Sequence, residues 1–146
     1  MTEDQQKLVQ KLLVEQKALE SNIEVAQQSL ELLQASLSSY RRGLNVVEEM
    51  EKKNGGEEML ISVGGDLLIE VQLINAERVI RDVGSGVRIT QSLPDAKTQT
   101  EGIIAAYEQQ YARIAQEYQN MTTRAASLNA QLQELVSQIQ GERKGV

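Results

Sequence analysis

Residues that could carry out chemistry are scarce in this 146-residue chain. It contains no histidine and no cysteine, so the usual general base, thiol nucleophile and soft metal ligands are all missing. The pairs Glu48-Glu49 and Glu57-Glu58 could be drawn as acid pairs, but adjacent residues point in different directions and a charged surface explains them better. We therefore expect no catalytic residue, no metal site and no cofactor.

The segment Gly84-Ser85-Gly86 is the one that could be compared with a phosphate-binding loop. Its sixth position is Ile89 rather than glycine, and a predicted strand follows where such a loop needs a helix. A hairpin turn is the better interpretation. The net charge of −6, with basic residues scattered along the chain, also argues against a nucleic-acid partner, because a phosphate backbone would be repelled.

Two heptad repeats provide the elements that must position any functional residue. In the first, apolar a and d positions run from Val9 to Val47 with Gln16 as the one interruption, and in the second they run from Ile104 to Ile139. A strict seven-residue repeat predicts two helices in a left-handed coiled coil. The predicted helices cover residues 5–53 and 95–141.

The two predicted helices have similar lengths and are joined at one end, so we expect them to pair antiparallel within the chain. Aligning the a and d positions places Tyr40 against Tyr111 and Ala26 against Ala125. Burying each large apolar side chain of the seam contributes on the order of 1.5–3 kcal/mol. The helix pair can therefore be stable by itself.

Alternating apolar residues between the helices predict β-structure over residues 57–92. Turns at Gly64-Gly65-Asp66 and Gly84-Ser85-Gly86 divide it into two β-hairpins. The expected fold class is α+β, a single domain over 1–146. Two small hairpins leave strand edges uncovered, so we expect them to form a shared β-barrel on oligomerisation.

The chain shows no membrane or export signal. No apolar run approaches the roughly 20 residues that span a bilayer, and residues 1–10 are too polar for a signal peptide. The lack of cysteine fits a reducing compartment. We expect no membrane association and a cytoplasmic location.

A few apolar side chains near both termini lie outside the heptad seam. Leu8, Leu13, Val14 and Val136 would meet at the open end of the helix pair, and an exposed apolar patch there would suit weak binding of hydrophobic segments of another protein. Isolated surface leucines are also ordinary, and Val25 and Leu32 lie off the seam in mid-helix. Fraying or subunit contacts therefore stay an alternative interpretation.

The order of heptad helix, two hairpins and heptad helix resembles an α-class prefoldin subunit of the archaeal type. The more specific features are MLISVGG at 59–65, which opens the first hairpin, and VIRDVGSGV at 79–87 in the second. Two hairpins indicate the α class, because the β class has one. Ser62 departs from the proline found in many relatives, and Leu67 or Leu68 from an aromatic residue.

The resemblance implies a hexameric chaperone in which two α and four β subunits join their hairpins into a double β-barrel. Its coiled coils would hold unfolded client proteins without ATP and deliver them to a group II chaperonin. The implied client-binding residues at the helix tips are Leu8, Val9, Leu12, Leu13, Leu135, Val136 and Ile139. The implied subunit-assembly residues are Ile61, Val63, Ile69, Val71, Val83, Val87 and Ile89.

The same architecture could serve a structural protein that holds no client. One alternative is a prefoldin-like filament that grows through its open sheet edges. Mixing the chain with a β-class partner separates the two, since a closed hexamer supports the chaperone and open-ended growth of the chain alone supports the filament. A generic coiled-coil scaffold is a further alternative, but it leaves the hairpin motifs unexplained.

Overall fold

The computed structural model describes residues 2–144 as two long helices packed together, with two β-hairpins between them, as predicted. Helix α1 spans Glu3–Glu51 and helix α2 spans Leu93–Lys144. Two antiparallel two-stranded sheets lie between them, formed by β1 (Glu58–Gly64) with β2 (Leu67–Gln72) and by β3 (Arg78–Gly84) with β4 (Val87–Ser92). The shared barrel stays a prediction.

The chain divides into two compact units, and each contains a stretch of both helices. The hairpin unit is Ala35–Gln109, and the tip unit comprises the described residues up to Gln34 and from Gln110 onward. In each unit the predicted a and d positions are buried or half-buried, and most residues between them are exposed. Leu128 in the tip unit is fully enclosed. The heptad seam is therefore confirmed in both units.

Contacts across the seam set a different register from the predicted one. In the hairpin unit the Tyr40 ring meets Tyr107, not Tyr111, edge to face, with ring centroids 5.6 Å apart. In the tip unit Gln27 Nε2 donates to the Tyr118 hydroxyl at 3.1 Å, whereas the predicted pairing of Ala26 with Ala125 places Gln27 further along α2. The predicted register was wrong by about one helical turn, because a shift of that size exchanges a and d positions and keeps apolar residues facing each other.

The helix ends differ from the predicted ones by two or three residues for local reasons. Helix α1 ends at Glu51, and the amides of Lys52 and Lys53 donate to carbonyls three residues back, each at 3.1 Å, which tightens the last turn. The two lysines thus lie just beyond the helix. Helix α2 begins at Leu93 because the Ser92 hydroxyl caps it, accepting the Asp95 amide at 3.3 Å.

A small hydrophobic cluster joins the hairpins to the helices within the hairpin unit. Its buried centre is formed by Val47 and Met50 of α1, Met59 of β1 and Leu93 of α2. Half-buried apolar residues that pack around this centre are Val46, Ile61, Val71, Leu73 and Val79. The face of each hairpin that carries Met59 or Val79 is therefore the cluster face, and the opposite face is the outer face.

The two hairpins share one turn geometry. A register shift precedes each turn, and Gly64 then pairs with Leu67 as Gly84 pairs with Val87. All three residues of each turn have positive φ, including Asp66 at 60° and Ser85 at 54°. Glycine is favoured at such positions because it has no Cβ to clash, which explains the predicted turn motifs.

Arg81 fixes the second hairpin to the start of α2. Its guanidinium donates to Gln91 Oε1 at 2.7 Å, to Thr100 Oγ1 at 2.9 Å and to the Ala96 carbonyl at 3.3 Å. Ile61 occupies the matching position in the first hairpin and packs on the hydrophobic cluster instead. A polar contact in one hairpin thus replaces an apolar contact in the other.

We expect Leu128→Ala to destabilise the helix pair by about 2–5 kcal/mol, because it removes a fully enclosed side chain and leaves a cavity. Urea unfolding followed by circular dichroism measures the change. The matched control is Leu32→Ala, whose side chain is 72% exposed and whose loss should cost less than about 0.5 kcal/mol. Equal losses in the two variants would contradict the assigned seam.

Candidate functional site

The described residues offer apolar surface rather than a chemical centre. Between residues 2 and 144, no cluster of three or more acidic, histidine or cysteine side chains is placed to hold a metal ion. Over the same stretch, neither helix contains a segment apolar enough to cross a membrane. Large exposed apolar side chains concentrate at the helix ends of the tip unit and on the hairpins.

The tip unit brings the predicted client-binding residues to the same end of the helix pair but exposes them unequally. Leu12 and Ile139 are buried in the seam, at 7% and 9% exposure. Val9 and Leu135 are half-buried. The three predicted residues that remain open to a ligand, each close to half exposed, are Leu8, Leu13 and Val136. These three form what we call the tip surface.

A recess of about 320 Å³ lies beside Leu8 in the tip unit. Leu8, Leu12 and Leu135 provide its apolar lining, and its polar lining consists of Gln131, Glu134 and Gln138. A small recess of this kind accommodates an apolar side chain, while the glutamine amides can donate to and accept from a peptide backbone. The sequence analysis missed the polar lining, although its residues lie within about one turn of Leu135.

Two polar contacts hold the helices together in the same unit. Arg124 donates twice to Glu15, through Nε to Oε1 at 2.7 Å and through a terminal nitrogen to Oε2 at 3.0 Å. The hydrogen bond from Arg124 lowers the pKa of the Glu15 carboxyl. Gln16, the polar interruption of the seam, donates to the Asn129 side-chain oxygen. The first contact is an exposed ion pair, so we assign it a role in alignment rather than in stability.

Exposure alone does not distinguish the tip surface from the rest of α1. Val25 and Leu32 lie in mid-helix and are 58% and 72% exposed, which is more than any residue of the tip surface. The tip surface differs because one of its residues, Leu8, lines a recess to which both helices contribute side chains. Any experiment on client binding must therefore use Val25 and Leu32 as controls.

The hairpins present apolar residues on both faces. Of the predicted assembly residues, Ile61 and Val71 pack on the hydrophobic cluster of the same chain. The others are exposed: Val63, Ile69, Val83, Val87 and Ile89. Sequence analysis missed further exposed residues: Leu60, Leu67, Leu68 and Ile80. Leu60, Leu68 and Ile80 lie on the outer faces, which strand alternation had assigned to solvent.

A groove runs between α1 and the first hairpin. It encloses about 520 Å³, with Gly43 and Val46 on the helix side and Leu60, Val63 and Leu68 on the hairpin side. A Cβ added at Gly43 would meet no atom within 4 Å, so glycine leaves open space there. The hairpin unit thus has apolar surface on its sheets and beside them.

Comparison with known proteins identifies the family. A family model described as "Prefoldin subunit" matches residues 19–138. The chain is 27% identical to prefoldin subunit alpha of Methanobrevibacter smithii, over 95% of this chain and 94% of that protein. It is 25% identical to prefoldin subunit alpha of Archaeoglobus fulgidus, over 87% and 93% respectively.

A solved chain of filamentous PFD from Methanocaldococcus jannaschii is 18% identical to this chain, with a TM-score of 0.48, covering 84% of this chain and 95% of that one. The family model spans most of the described residues, and several archaeal α subunits match over most of their own length. The chain therefore belongs to the prefoldin family of non-enzymatic, coiled-coil chaperones, as a subunit of the α type.

Proposed function

We propose that this chain is a holdase subunit that binds unfolded or nascent polypeptides at its helix tips, without ATP, and delivers them to a group II chaperonin. The observation that carries the proposal is the presence of two separate exposed apolar surfaces on two compact units. One surface is small, and one of its residues, Leu8, lines a recess, which suits weak client contacts. The other covers two sheets with open edges, which suits assembly.

Client binding at the tip surface would be weak for one subunit. Leu8, Leu13 and Val136 each expose only part of a side chain, and the recess beside Leu8 is small, about 320 Å³. Several tips on one assembly raise the effective concentration of each contact, so the total affinity can exceed that of any single tip by orders of magnitude. Holding a client therefore depends on assembly.

Assembly would use the hairpins. Each sheet has two strands, and a two-stranded sheet leaves both edges unpaired and has too little apolar burial to be stable alone. Closing the sheets of several subunits into a β-barrel removes the edges. We propose that two copies of this chain and four β-class prefoldin subunits form that barrel, in the cytoplasm.

Mixing the chain with a β-class prefoldin subunit tests the proposal. We expect native mass spectrometry to show a closed hexamer with two copies of this chain, and we expect that hexamer, with or without ATP, to suppress aggregation of a chemically denatured client. The unpaired strand edges also favour the filament alternative. Open-ended growth of the chain alone, with no effect on client aggregation in either sample, would support the filament and contradict the holdase.

A further inference from the structure

The two hairpins carry opposite charge. Residues 58–72 contain three carboxylates, at Glu58, Asp66 and Glu70, and no basic residue. Residues 78–92 contain three arginines and one carboxylate, Asp82. The two hairpins share one turn geometry and one pairing pattern. They therefore have similar backbones but differ in charge.

The outer faces of the hairpins combine an apolar centre with these charges. On the first hairpin, Leu60 pairs across the strands with Glu70, and Glu58 precedes it by two residues on the same face. On the second hairpin, Ile80 takes the place of Leu60. Leu60 and Ile80 are 59% and 72% exposed. The first outer face thus has two large exposed apolar side chains, because Leu68 also lies on it, and the second outer face has Ile80.

The basic residues of the second outer face surround Ile80. Arg78 precedes it by two residues on the same strand and face, and Arg88 lies on β4 opposite Asp82. Among residues 2–144, neither arginine forms an ion pair, and neither do Glu58 and Glu70 of the first hairpin. Four exposed charges are therefore available to a partner.

The first hairpin also offers a recess for a cation. A space of about 510 Å³ opens beside Leu60 and is lined by Glu49, Glu58 and Glu70, with Lys53 as its one basic residue. An arginine side chain can enter a recess of this size, and its planar guanidinium can bind a carboxylate through two hydrogen bonds.

We propose that the outer face of the first hairpin binds the outer face of the second hairpin of another copy of this chain. Leu60 would pack on the other copy's Ile80, and Glu58 and Glu70 would face its Arg78 and Arg88. Pairing two first hairpins, or two second hairpins, would bring like charges together, so charge selects the unlike pair. The inference rests on the proposed use of the hairpins for assembly and adds which hairpin meets which.

The contact has a defined consequence for symmetry. If two copies make it reciprocally, they close a two-fold dimer in which each hairpin is used once. If each copy makes it with a different neighbour, the same contact extends an open chain. Both arrangements use the same four charged residues. Reversing these charges in two separate variants and then mixing the variants therefore tests the contact in either case.

Charge reversal in two separate variants tests the proposal on the chain alone. The first variant is Glu58→Arg with Glu70→Arg, and the second is Arg78→Glu with Arg88→Glu. We expect each variant to self-associate at least about tenfold more weakly than the parent at low salt, because both of its outer faces then carry one sign. An equimolar mixture should restore association with equal numbers of the two variants in each assembly, measured by sedimentation velocity and native mass spectrometry.

Three controls keep the result interpretable. All four positions are exposed, so circular dichroism melting curves should match the parent. A control with the same change in net charge as the first variant, Glu24→Arg with Glu31→Arg on the exposed side of α1, should associate like the parent. Parent self-association should also weaken as salt rises.

Parent-like association of either single variant, or no recovery in the mixture, would overturn the proposal. The test uses neither a client nor a β-class subunit, so such a failure would leave the holdase result unaffected. If the mixture of the two charge-reversed variants recovers association but the hexamer does not hold clients, the result would contradict the proposed function and leave this contact in place.

Discussion

Removing the residues before Glu15 and after Glu134 is expected to abolish most client holding while leaving assembly intact. The truncation deletes all seven predicted client-binding residues, including the whole tip surface, and retains the enclosed Leu128 and the ion pair of Glu15 with Arg124. Holding depends on several weak contacts acting together. The loss of affinity at each tip should therefore multiply across all the tips of one assembly. We expect at least about tenfold more chaperone to be needed for equal suppression of client aggregation.

A milder variant separates the loss of surface from a loss of stability. Leu8→Ser, Leu13→Ser and Val136→Ser together remove the tip surface without changing the buried seam residues, so the effect on holding should approach that of the truncation. The matched control is Val25→Ser with Leu32→Ser, which removes two mid-helix side chains that are each more exposed than any residue of the tip surface. Unchanged holding by the truncated hexamer would exclude the tips as the client site.

The second large effect is expected from Ile69→Lys combined with Ile89→Lys. These residues occupy matching positions on the cluster faces of the two hairpins, paired with Ile61 and Arg81, and are 45% and 43% exposed. Burying two unpaired lysines in a shared sheet costs several kcal/mol. We expect no hexamer with the β-class subunit in native mass spectrometry, while the isolated chain keeps its helical circular dichroism signal.

The choice of Ile69 and Ile89 follows from the structure. Val71 belongs to the same predicted assembly set but packs on the hydrophobic cluster, so a lysine there would destabilise the subunit itself. The control for added charge is Gln28→Lys with Gln119→Lys, at two exposed helix positions. A hexamer of normal mass formed by the hairpin variant would show that this face is not buried on assembly.

The sequence was sufficient to predict the elements because local patterns determine them. Apolar heptads predicted both helices, and glycine-rich turns predicted both hairpins. The helix register was not predictable in the same way, because the seam stays apolar when it is shifted by a turn. Contacts that lie off the seam select the register instead, such as Arg41 with Glu108 at 2.8 Å.

The candidate surfaces were predictable only in part. Strand alternation assigned Ile61 and Val71 to assembly, but it could not show that the chain's own Val47 and Met50 pack beneath that face. It also treated the outer faces as solvent-facing, so Leu60 and Ile80 were missed. At the tip, the off-seam leucines were found, whereas the recess depends on which turn of α2 lies beside Leu8.

The most direct test of the division between client-holding tips and assembling hairpins is site-specific photo-crosslinking. A photoreactive residue replaces either Leu13, at the tip, or Leu32, in mid-helix, and each variant is assembled with the β-class subunit and given a denatured client. We predict strong client adducts from position 13 and few from position 32, even though Leu32 is the more exposed of the two in this chain. Equal or stronger adducts from position 32 would contradict client binding at the tip.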